Sequence, residues 1–581
     1  MKCASLLVLA VILGAAEADA ATIQAASCNQ ADVAAAINSV SDGDTVVIPA
    51  GTCTWLAGIS VNESITIRGA GVGVTVIRSG IAGGTSWKPL VTWSTKSTGN
   101  SPAGFARLTG ITFDGGGSGG NAPSSYMVVV AGNSGNVRID HNQFIGSRSR
   151  GMAISGYVRG VIDHNSFNVN QFGYFGLVTR HDRWANGSEG YGDTSWASPL
   201  TPGSREAIYV EDNTFINGTG NWTAAHDGDY GHRVVFRENT YRNIKWGNHG
   251  TETDGRPRGA RWSEHYRNEF VGDNSAQMAY LPSVISSRSG SHMVFDNRMT
   301  FTNGASAANV FDMTTYRSAD SAQREFYVWG RCGVRSVSLV RSGTTVTGTS
   351  SWAGVHPSGT TITISGAGVP FDGTFVAKGD GDTFTYQTSN SGGASATGSL
   401  RAPWDANSEA SGYRCLDQVG AGTGALISGG YPSTVAGGHQ ALEPVYIWNN
   451  LRDADTGAGT NYQLSSGVVN GASNVIKANR DYYNQTTSFT GASGVGRGSI
   501  GTRPGSCTPG VAYWATDEGE WDSTNGSAPD GRLYKCTSAN NWTLFYTPYM
   551  YPHPLVSGAA AESDSSSSTP QSPTNLRIVG Q

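Results

Sequence analysis

Side chains that can do acid–base chemistry on a sugar are concentrated between residues 222 and 288 of this 581-residue chain. Only 14% of all residues are charged, yet four of the eleven histidines fall in this segment. Aromatic faces stack on sugar rings, and carboxylates and guanidinium groups bind hydroxyls and uronic acids. The segment therefore predicts a carbohydrate site. The predicted substrate-binding residues are Trp222, Tyr230, His232, Trp246, Arg256, Arg258 and Trp262.

One chemistry that this cluster supports is β-elimination on a uronic acid polymer. The reaction needs a cation that neutralises the sugar carboxylate, a base that takes the C5 proton, and an acid for the leaving oxygen. His249 or Arg288 can supply the base or the acid, while the arginines at 256, 258 and 261 can neutralise the carboxylate. The predicted catalytic residues are His226, His249, Glu252, Arg261 and Arg288.

Acidic side chains in the same segment predict a calcium site. Calcium is a hard cation that takes oxygen ligands, and carboxylates supply them. The predicted ligands are Asp227, Asp229 and Asp254, with Glu252 as a further candidate. No other cofactor is expected.

Two other functions, and a purely structural role, stay open at this stage. Glycoside hydrolysis needs two carboxylates, about 5–5.5 Å apart for retention and further apart for inversion, and the four acidic residues named above can provide them. The third hypothesis is a non-catalytic carbohydrate-binding surface protein or adhesin. Stacked Asp and Arg can also be surface ion pairs worth ~0–1 kcal/mol each, although such pairs would not need several histidines. The arginine excess favours the lyase.

A repeated tripeptide predicts the scaffold that positions these side chains. Asn recurs with a hydrophobic residue two places later, at intervals of 23, 48, 26, 29 and 29 residues. Most copies follow a short β-favouring run. Repeats of this length indicate a solenoid, whose units stack and share one core. The copies begin at Asn142, Asn165, Asn213, Asn239, Asn268 and Asn297.

The recurrent Asn has a physical reason in such a solenoid. Its side-chain amide can bond the Asn of the next coil and the local backbone, and Asn tolerates a left-handed turn. Functional groups on this scaffold come from side chains on successive coils, about 4.8 Å apart. We therefore expect the polar residues between 226 and 288 to share one exposed strip.

Two features resemble the pectin-lyase-like right-handed parallel β-helix superfamily: the segment Ala34–Gly51 and the run of Asn-containing turns. The resemblance covers residues 25–330 and resumes after an insertion. It implies an all-β, right-handed parallel β-helix with a short N-terminal capping helix, in a superfamily of secreted polysaccharide-active proteins.

Val284–Gly290 also resembles the segment of chondroitinase-B-like alginate lyases that carries a basic catalytic residue. This local resemblance implies a catalytic role for Arg288. Arg288 stands where that family has Lys, and a guanidinium group barely deprotonates, which argues against a role as the base.

Composition excludes several classes of protein. The net charge of −5 and a pI near 6.1 leave no basic excess to displace counterions from nucleic acid phosphates. Gly is abundant, at 79 residues, but lacks the Gly-X-Y period of collagen. With 38% hydrophobic residues the chain can build a core, so wholesale disorder is excluded.

The first twenty residues have the features of a secretory signal peptide. Lys2 precedes an apolar run, Leu6–Ala15, and small residues follow at Ala18 and Ala20. No apolar stretch reaches 18 residues, so no transmembrane segment is expected. We expect a secreted, extracellular or cell-surface monomer whose partner is a polysaccharide.

Six cysteines follow the leader, and an exported chain favours disulfides between them. Six cysteines allow fifteen pairings, of which sequential pairing is the simplest. The chain has no CxxC pair that would indicate metal binding instead. The predicted disulfides are Cys28–Cys53, Cys332–Cys415 and Cys507–Cys536.

Interruptions of the repeat predict the domain organisation. The 48-residue interval predicts a rim loop or an irregular coil, and the aromatic residues after Cys507 favour a cap that seals the open end of the solenoid. The predicted segments are a signal peptide (1–20), a parallel β-helix (21–334), a small inserted β-sandwich-like module (335–401), a β-helix continuation with a C-terminal cap (402–556), and a Ser-rich linker with the start of a truncated β module (557–581).

Overall fold

The structure is a computed structural model, and the part of it described below leaves out both chain ends and several internal segments. Within the described residues, no helix is long and apolar enough to cross a membrane. The described residues are 20–81, 88–96, 105–116, 126–146, 150–169, 175–186, 192–217, 224–250, 258–274, 283–303, 305, 309–314, 334–350, 355, 359–380, 382–401, 417–424, 440–453, 462–463, 466–468, 473 and 476–557.

Three parallel β-sheets wind around a common core. One complete coil consists of Ile208–Glu211, Thr214–Asn217 and Ala224–Asp229, and we call the sheets to which these strands belong sheet 1, sheet 2 and sheet 3. Each strand pairs in parallel with the strand of the same sheet one coil further on. The predicted all-β parallel β-helix is confirmed.

The strands of the three sheets follow one another from residue 22 to residue 484, and the long strand Tyr126–Asp140 belongs first to sheet 3 and then to sheet 1. The other strands of sheet 1 are Thr22–Gln24, Thr45–Val47, Thr66–Arg68, Ala106–Thr109, Tyr157–Asp163, Ile208–Glu211, Arg233–Arg237, Trp262–Tyr266, Ser291–Phe295, Val445–Trp448 and Tyr482–Asn484. Those of sheet 2 are Gly51–Trp55, Thr75–Ser79, Thr112–Asp114, Gln143–Ile145, Ser166–Val169, Thr214–Asn217, Thr240–Arg242, Glu269–Gly272, Arg298–Phe301, Leu451–Arg452 and Tyr462–Gln463. Those of sheet 3 are Ile59–Val61, Val91–Thr95, Arg150–Ile154, Phe175–Arg180, Ala224–Asp229, Lys245–Gly247, Ser283–Ser287, Asn309–Met313 and Ser466–Val468.

Short helices accompany the strands at two places. The predicted capping helix is Gln30–Ile37, whose apolar face joins the start of the core. A second helix, Asp193–Ala197, lies between Arg180 and Ile208, so the coil is complete and the extra residues of the long interval form a loop. Two 3₁₀ turns are Trp184–Asn186 and Ile500–Thr502.

The recurrent asparagines form the predicted ladder between sheets 1 and 2. Each side-chain NH₂ donates to the side-chain oxygen of the next Asn at 2.8–3.1 Å. The left-handed conformation that we expected at Asn belongs to the residue before it, with φ between 51° and 58°, because that residue turns the chain out of sheet 1. The members are Asn142, Asn165, Asn213, Asn239, Asn268, Asn297 and Asn450.

The hydrophobic residue two places after each ladder Asn from Asn142 to Asn297 fills the core, and Phe113 holds the same position on the coil before Asn142. In sheet 2 these rings stack on one another with centroids 4.7–5.5 Å apart, which matches the spacing of the coils. The stack continues the same interior as the aliphatic residues of sheets 1 and 3. Its rings belong to Phe113, Phe144, Phe167, Phe215, Tyr241 and Phe270.

The predicted inserted module is a closed barrel of six antiparallel strands with its own hydrophobic core. The sequence predicted a sandwich-like unit; closure instead pairs the first strand with the last, so that no edge is left unpaired. The strands are Arg335–Ser342, Thr345–Thr349, Thr360–Ser365, Gly373–Asp380, Thr383–Gln387 and Ser395–Arg401.

The C-terminal segment lies along the outer face of sheet 1. Its residues Trp514 and Tyr546 pack with the outward rings of Phe295 and Trp448, and Arg237 donates to two carbonyls of the segment at 2.6 and 2.8 Å. The segment covers the outward aromatic residues of sheet 1, which form an apolar surface along its length. The seal over the open end of the solenoid stays a prediction. The strands of this segment are Val495–Gly498, Ala512–Ala515, Arg532–Ser538 and Asn541–Tyr546.

Two of the three predicted disulfides are confirmed. Cys28–Cys53 joins the N-terminal segment to the first strand of sheet 2, with Cα atoms 5.7 Å apart. Cys507–Cys536 lies in the C-terminal segment, with Cα atoms 6.0 Å apart. Cys332 and Cys415 lie outside the described residues, so their pairing stays a prediction.

Candidate functional site

The outward side chains of sheet 3 form three rows that cross successive coils, and we call this surface the sheet-3 wall. The coils are about 4.8 Å apart, so neighbours within a row can meet the same ligand. Row 1 consists of Tyr126, Arg150, Phe175, Ala224 and Lys245. Row 2 consists of Ala153, Val178, Asp227, Gly247, Ser286 and Asp312. Row 3 begins with Arg180 and Asp229, and His249 and Arg288 follow at the ends of the next two strands.

Two glycines explain why row 1 faces outward. Gly151 and Gly176 face the core together with the residues that follow them, so two consecutive positions point inward on each coil. A Cβ at Gly151 would lie 2.2 Å from the carbonyl oxygen of Gly176, and one at Gly176 would lie 3.2 Å from the Phe215 ring. Only glycine fits this close approach, and the residues before them, Arg150 and Phe175, are left on the outer face.

An aspartate–histidine pair lies in the middle of the sheet-3 wall. His249 Nδ1 contacts Asp227 Oδ1, and the two side chains are 18% and 5% exposed. The backbone N–H of His249 donates to Gly228 at 2.8 Å, and its carbonyl accepts from Ser289 Oγ at 2.8 Å. Because the carboxylate engages Nδ1, Nε2 is the ring nitrogen at which this histidine can accept or release a proton.

Arg180 and Asp229 form a second pair beside the first. The Arg180 guanidinium donates to both carboxylate oxygens at 2.7 and 3.3 Å and lies 5.0 Å from the centroid of the Tyr230 ring. Burial disfavours the charge on Arg180, but the Asp229 carboxylate outweighs it and raises the pKa of Arg180. This arginine is therefore a permanent cation on the sheet-3 wall.

Lys245 and Arg288 bring positive charge to the coils that follow. Burial lowers the pKa of Lys245, the charge of Arg288 lowers it further, and Asp312 opposes this. The backbone N–H of Arg288 donates to Asn248 Oδ1 at 2.8 Å, which fixes the chain where it leaves the strand. Burial also raises the pKa of Asp312, which accepts a hydrogen bond from Asn309 at 2.8 Å.

Gly247 has no side chain, so the sheet-3 wall has a depression between Asp227 and Ser286. A Cβ at this position would have its nearest neighbours at 3.8 and 3.9 Å, so no side chain of the described residues fills this space. A sugar ring can approach the backbone here, beside His249. The arrangement thus places an acid–base group and several cations beside a stretch of backbone that a ligand can approach.

Three residues predicted for the site belong to the core instead. His226, His232 and Trp246 are fully buried, and the rings of His226 and Trp246 stack with centroids 5.1 Å apart. His226 Nε2 lies 2.7 Å from Thr179 Oγ1, and burial lowers the pKa of His226 to about 4. The prediction failed because Ala225 and His226 both point inward, which reverses the facing expected from simple alternation.

The predicted roles of Arg258, Arg261 and Trp262 are also wrong. Arg258 is buried and donates to Asp193 and Asp417 at 2.7 and 2.9 Å. Arg261 donates to Glu443 at 2.7 Å, and both guanidinium groups lie 5.1–5.2 Å from the centroid of the Trp196 ring. These arginines hold the loop of the second helix against the solenoid. Trp262 is buried beneath the C-terminal segment.

The predicted calcium ligands that the structure describes do not fit a calcium site. Asp227 contacts the His249 ring and Asp229 contacts the Arg180 guanidinium, so both carboxylates already have side-chain partners. Within the described ranges, no three His, Cys, Asp or Glu residues are grouped for a metal. Trp222, Glu252, Asp254 and Arg256 lie outside those ranges, and their roles stay predictions.

Several residues of the sheet-3 wall escaped the sequence analysis. Small residues occupy the second position of three successive sheet-3 strands, at Gly151, Gly176 and Ala225, and this recurrence marks the outward position just before them. The charge clusters of the sequence lie instead in the loops after the strands. The missed residues are Tyr126, Arg150, Phe175, Arg180, Lys245 and Asp312.

Comparison with solved structures returns matches of low similarity. The PL6 family alginate lyase AlyGC matches with a TM-score of 0.30 at 15% identity, over 52% of this chain and 50% of that chain, so the match spans about half of its length. The family 28 exopolygalacturonase of Yersinia enterocolitica gives 0.27 at 11% identity, over 52% and 76%.

A tailspike protein double mutant of E. coli bacteriophage HK620 also matches, with a TM-score of 0.30 at 13% identity over 64% of this chain and 89% of that chain. No family model and no curated protein matches the sequence. The three likenesses concern the fold, and the chemistry below is argued from the sheet-3 wall.

Proposed function

We propose that the protein is a polysaccharide lyase that cleaves a uronic-acid-containing polymer by β-elimination on the sheet-3 wall. The observation that carries this proposal is the outward Asp227–His249 pair, set among the cations Arg180, Lys245 and Arg288. Such a surface suits an anionic sugar whose C5 proton has to be removed.

His249 is the base of the proposed reaction. Its Nε2 takes the C5 proton, the bond between C4 and the leaving oxygen breaks, and a double bond forms between C4 and C5. The proton then passes from the imidazolium to the leaving oxygen. Asp227 orients the ring through Nδ1 and stabilises its charged form.

Arg288 and Lys245 neutralise the sugar carboxylate in this scheme. Removal of the C5 proton delocalises negative charge onto the carboxylate, and a positioned cation stabilises that charge most in the transition state. A guanidinium group barely deprotonates, so Arg288 serves as the cation rather than the base. In this scheme Arg288 is the cation and His249 is the base and the acid, so both residues keep the importance that the sequence predicts.

Hydrolysis fits the described carboxylates less well. Asp229 is engaged by the Arg180 guanidinium, and Asp227 is engaged by the His249 ring. Asp312 lies three coils from Asp227, roughly 14 Å at the usual strand spacing, whereas paired hydrolytic carboxylates are about 5–9.5 Å apart.

The test is ultraviolet absorbance of the unsaturated product when the full chain is incubated with alginate, polygalacturonate and other acidic polysaccharides. His249→Ala should lower the rate about 10²–10⁴-fold. The matched control is His141→Ala, because His141 is also exposed and paired with an aspartate, Asp140, but lies at the junction of sheets 1 and 2. New reducing ends without absorbance would show hydrolysis, and binding without either product would show a non-catalytic protein.

Chelation tests the calcium prediction separately. Activity that is lost in a chelator and restored by Ca²⁺ would support a site that includes Asp254. Full activity in the chelator would rule calcium out of the reaction.

A further inference from the structure

Among the described residues, Arg150 has no carboxylate within ion-pair distance. Its Nη1 donates to the Tyr126 hydroxyl at 3.0 Å, while its buried Nε has no hydrogen-bond partner. Many other arginines of the solenoid contact carboxylates directly. Those include Arg107, Arg138, Arg180, Arg237, Arg258 and Arg267.

An apolar platform surrounds this guanidinium. The Arg150 Cζ lies 5.4 Å from the ring centroids of both Tyr126 and Phe175. The two rings form a small cluster with Val178 and neighbouring aliphatic residues, separate from the core. Tyr126 and Val178 are buried, so the half-buried Phe175 is the ring of this cluster that a sugar can reach. A ring face beside a planar cation can bind the face of a sugar and its carboxylate together.

The position of Arg150 sets its distance from the proposed cleavage point. Its coil lies two coils before that of Asp227 and three before that of His249, roughly 10 and 14 Å at the usual strand spacing. A sugar that reaches Arg150 is therefore a different unit from the one that loses its C5 proton. Lys245 stands in the same row, on the coil of His249, beyond the small side chain of Ala224.

We propose that Arg150, Tyr126 and Phe175 form a remote subsite that binds the carboxylate of a second uronic acid unit of the same polymer. The proposal rests on the proposed function for the identity of the polymer, but binding at Arg150 does not require cleavage. The guanidinium supplies paired donors to the carboxylate, Phe175 supports the sugar ring, and Tyr126 holds the guanidinium in place.

The first test measures binding by titration calorimetry in the His249→Ala background, with alginate, polygalacturonate, a neutral glucan and a sulfated glycan as probes. Arg150→Gln should weaken polyuronate binding about tenfold or more. Arg68→Gln removes the same charge from an exposed position on sheet 1 and should leave binding unchanged. Equal losses in the two variants, or no loss in Arg150→Gln, would overturn the proposal, as would binding confined to the sulfated glycan.

The second test separates binding from chemistry in the otherwise unmodified chain. Arg150→Gln should raise KM for long substrates and leave kcat unchanged, and it should have no effect on oligosaccharides too short to span both places. A fall in kcat on all substrates would contradict a remote subsite. Because Arg150→Gln can disturb folding, Arg150→Lys and Phe175→Leu provide milder variants, each expected to weaken binding without shifting the thermal midpoint.

The two tests together show which of the two proposals fails, the lyase or the remote subsite. Polyuronate binding that depends on Arg150, with no unsaturated product from any polymer, would support the subsite and contradict the lyase. Unsaturated product with KM independent of Arg150 would support the lyase and contradict the subsite.

Discussion

At the scale of single residues, burial decides what each histidine can do. His249 is partly exposed and paired with a carboxylate, whereas His226 lies in the core, where loss of hydration lowers its pKa to about 4. A buried neutral ring stacked on Trp246 fills space and cannot reach a polymer. The same argument moves Arg258 from substrate binding to structural support.

Asp227 is expected to act as a positioning residue for His249. Asp227→Asn keeps the shape of the pair but removes the charge that stabilises the imidazolium, so kcat should fall about 10²-fold. The pH at which the rate reaches half its maximum should also move, because the base loses its anionic neighbour. A fall in rate with an unchanged pH profile would contradict the positioning role.

Arg258 is expected to matter for stability rather than for chemistry. Arg258→Ala would leave Asp193 and Asp417 buried without their cation and should lower the free energy of unfolding by about 3–5 kcal/mol. Urea unfolding measures the change, with Arg68→Ala as the exposed control. An Arg258→Ala protein of undiminished stability that had lost all activity would restore the predicted substrate-binding role.

At the scale of elements, the Asn ladder joins one coil to the next. Asn239 accepts two hydrogen bonds from Asn213 at 3.0 and 3.1 Å and donates two to Asn268 at 3.1 and 3.0 Å. Asn239→Ala leaves buried backbone and amide groups unsatisfied, so the free energy of unfolding should fall by roughly 1–3 kcal/mol. Asn390→Ala, at an exposed position of the inserted barrel, is the control. Equal stability of both variants would show that the ladder contributes little.

The sequence predicted the ladder and its inward phenylalanines because both are local and recur once per coil. It did not predict which way sheet-3 residues face, because two consecutive inward positions such as Gly151 and Met152 interrupt the alternation. It also could not show that Arg258 meets Asp417, since those residues are 159 positions apart. Contacts between residues far apart in the sequence therefore determine which of the predicted site residues lie on the sheet-3 wall.

At the scale of the whole molecule, the interior is lined with neutral histidines that link stability to pH. Burial lowers the pKa of His181 and His292 to about 3 and that of His226 to about 4. The unfolded chain binds protons near pH 6.5 and the folded chain does not, so stability is present above that pH and is lost as the pH falls toward 4.

Comparison of a histidine variant with the parent chain separates the effect of the buried histidines on stability from that of buried carboxyl groups, whose pH dependence has the opposite sign. Burial raises the pKa of Glu238 to about 7, so its contribution is present at low pH and is lost as the pH rises toward 7. His292→Gln should reduce the loss of stability between pH 6.5 and 5 by about 1.4 kcal/mol per pH unit. Urea midpoints at several pH values measure this, and parallel pH curves for the variant and the parent chain would contradict the account.

The division of surfaces is the central feature of the whole molecule: the C-terminal segment covers sheet 1, while the sheet-3 wall carries the cations and the Asp227–His249 pair. A crystal structure of the His249→Ala variant soaked with a uronic acid hexasaccharide tests this most directly. The account predicts a sugar chain that crosses the coils of the sheet-3 wall, with one carboxylate at Arg150 and another near Lys245 and Arg288. Sugar bound to the inserted barrel or the C-terminal segment, with none on the sheet-3 wall, would contradict it.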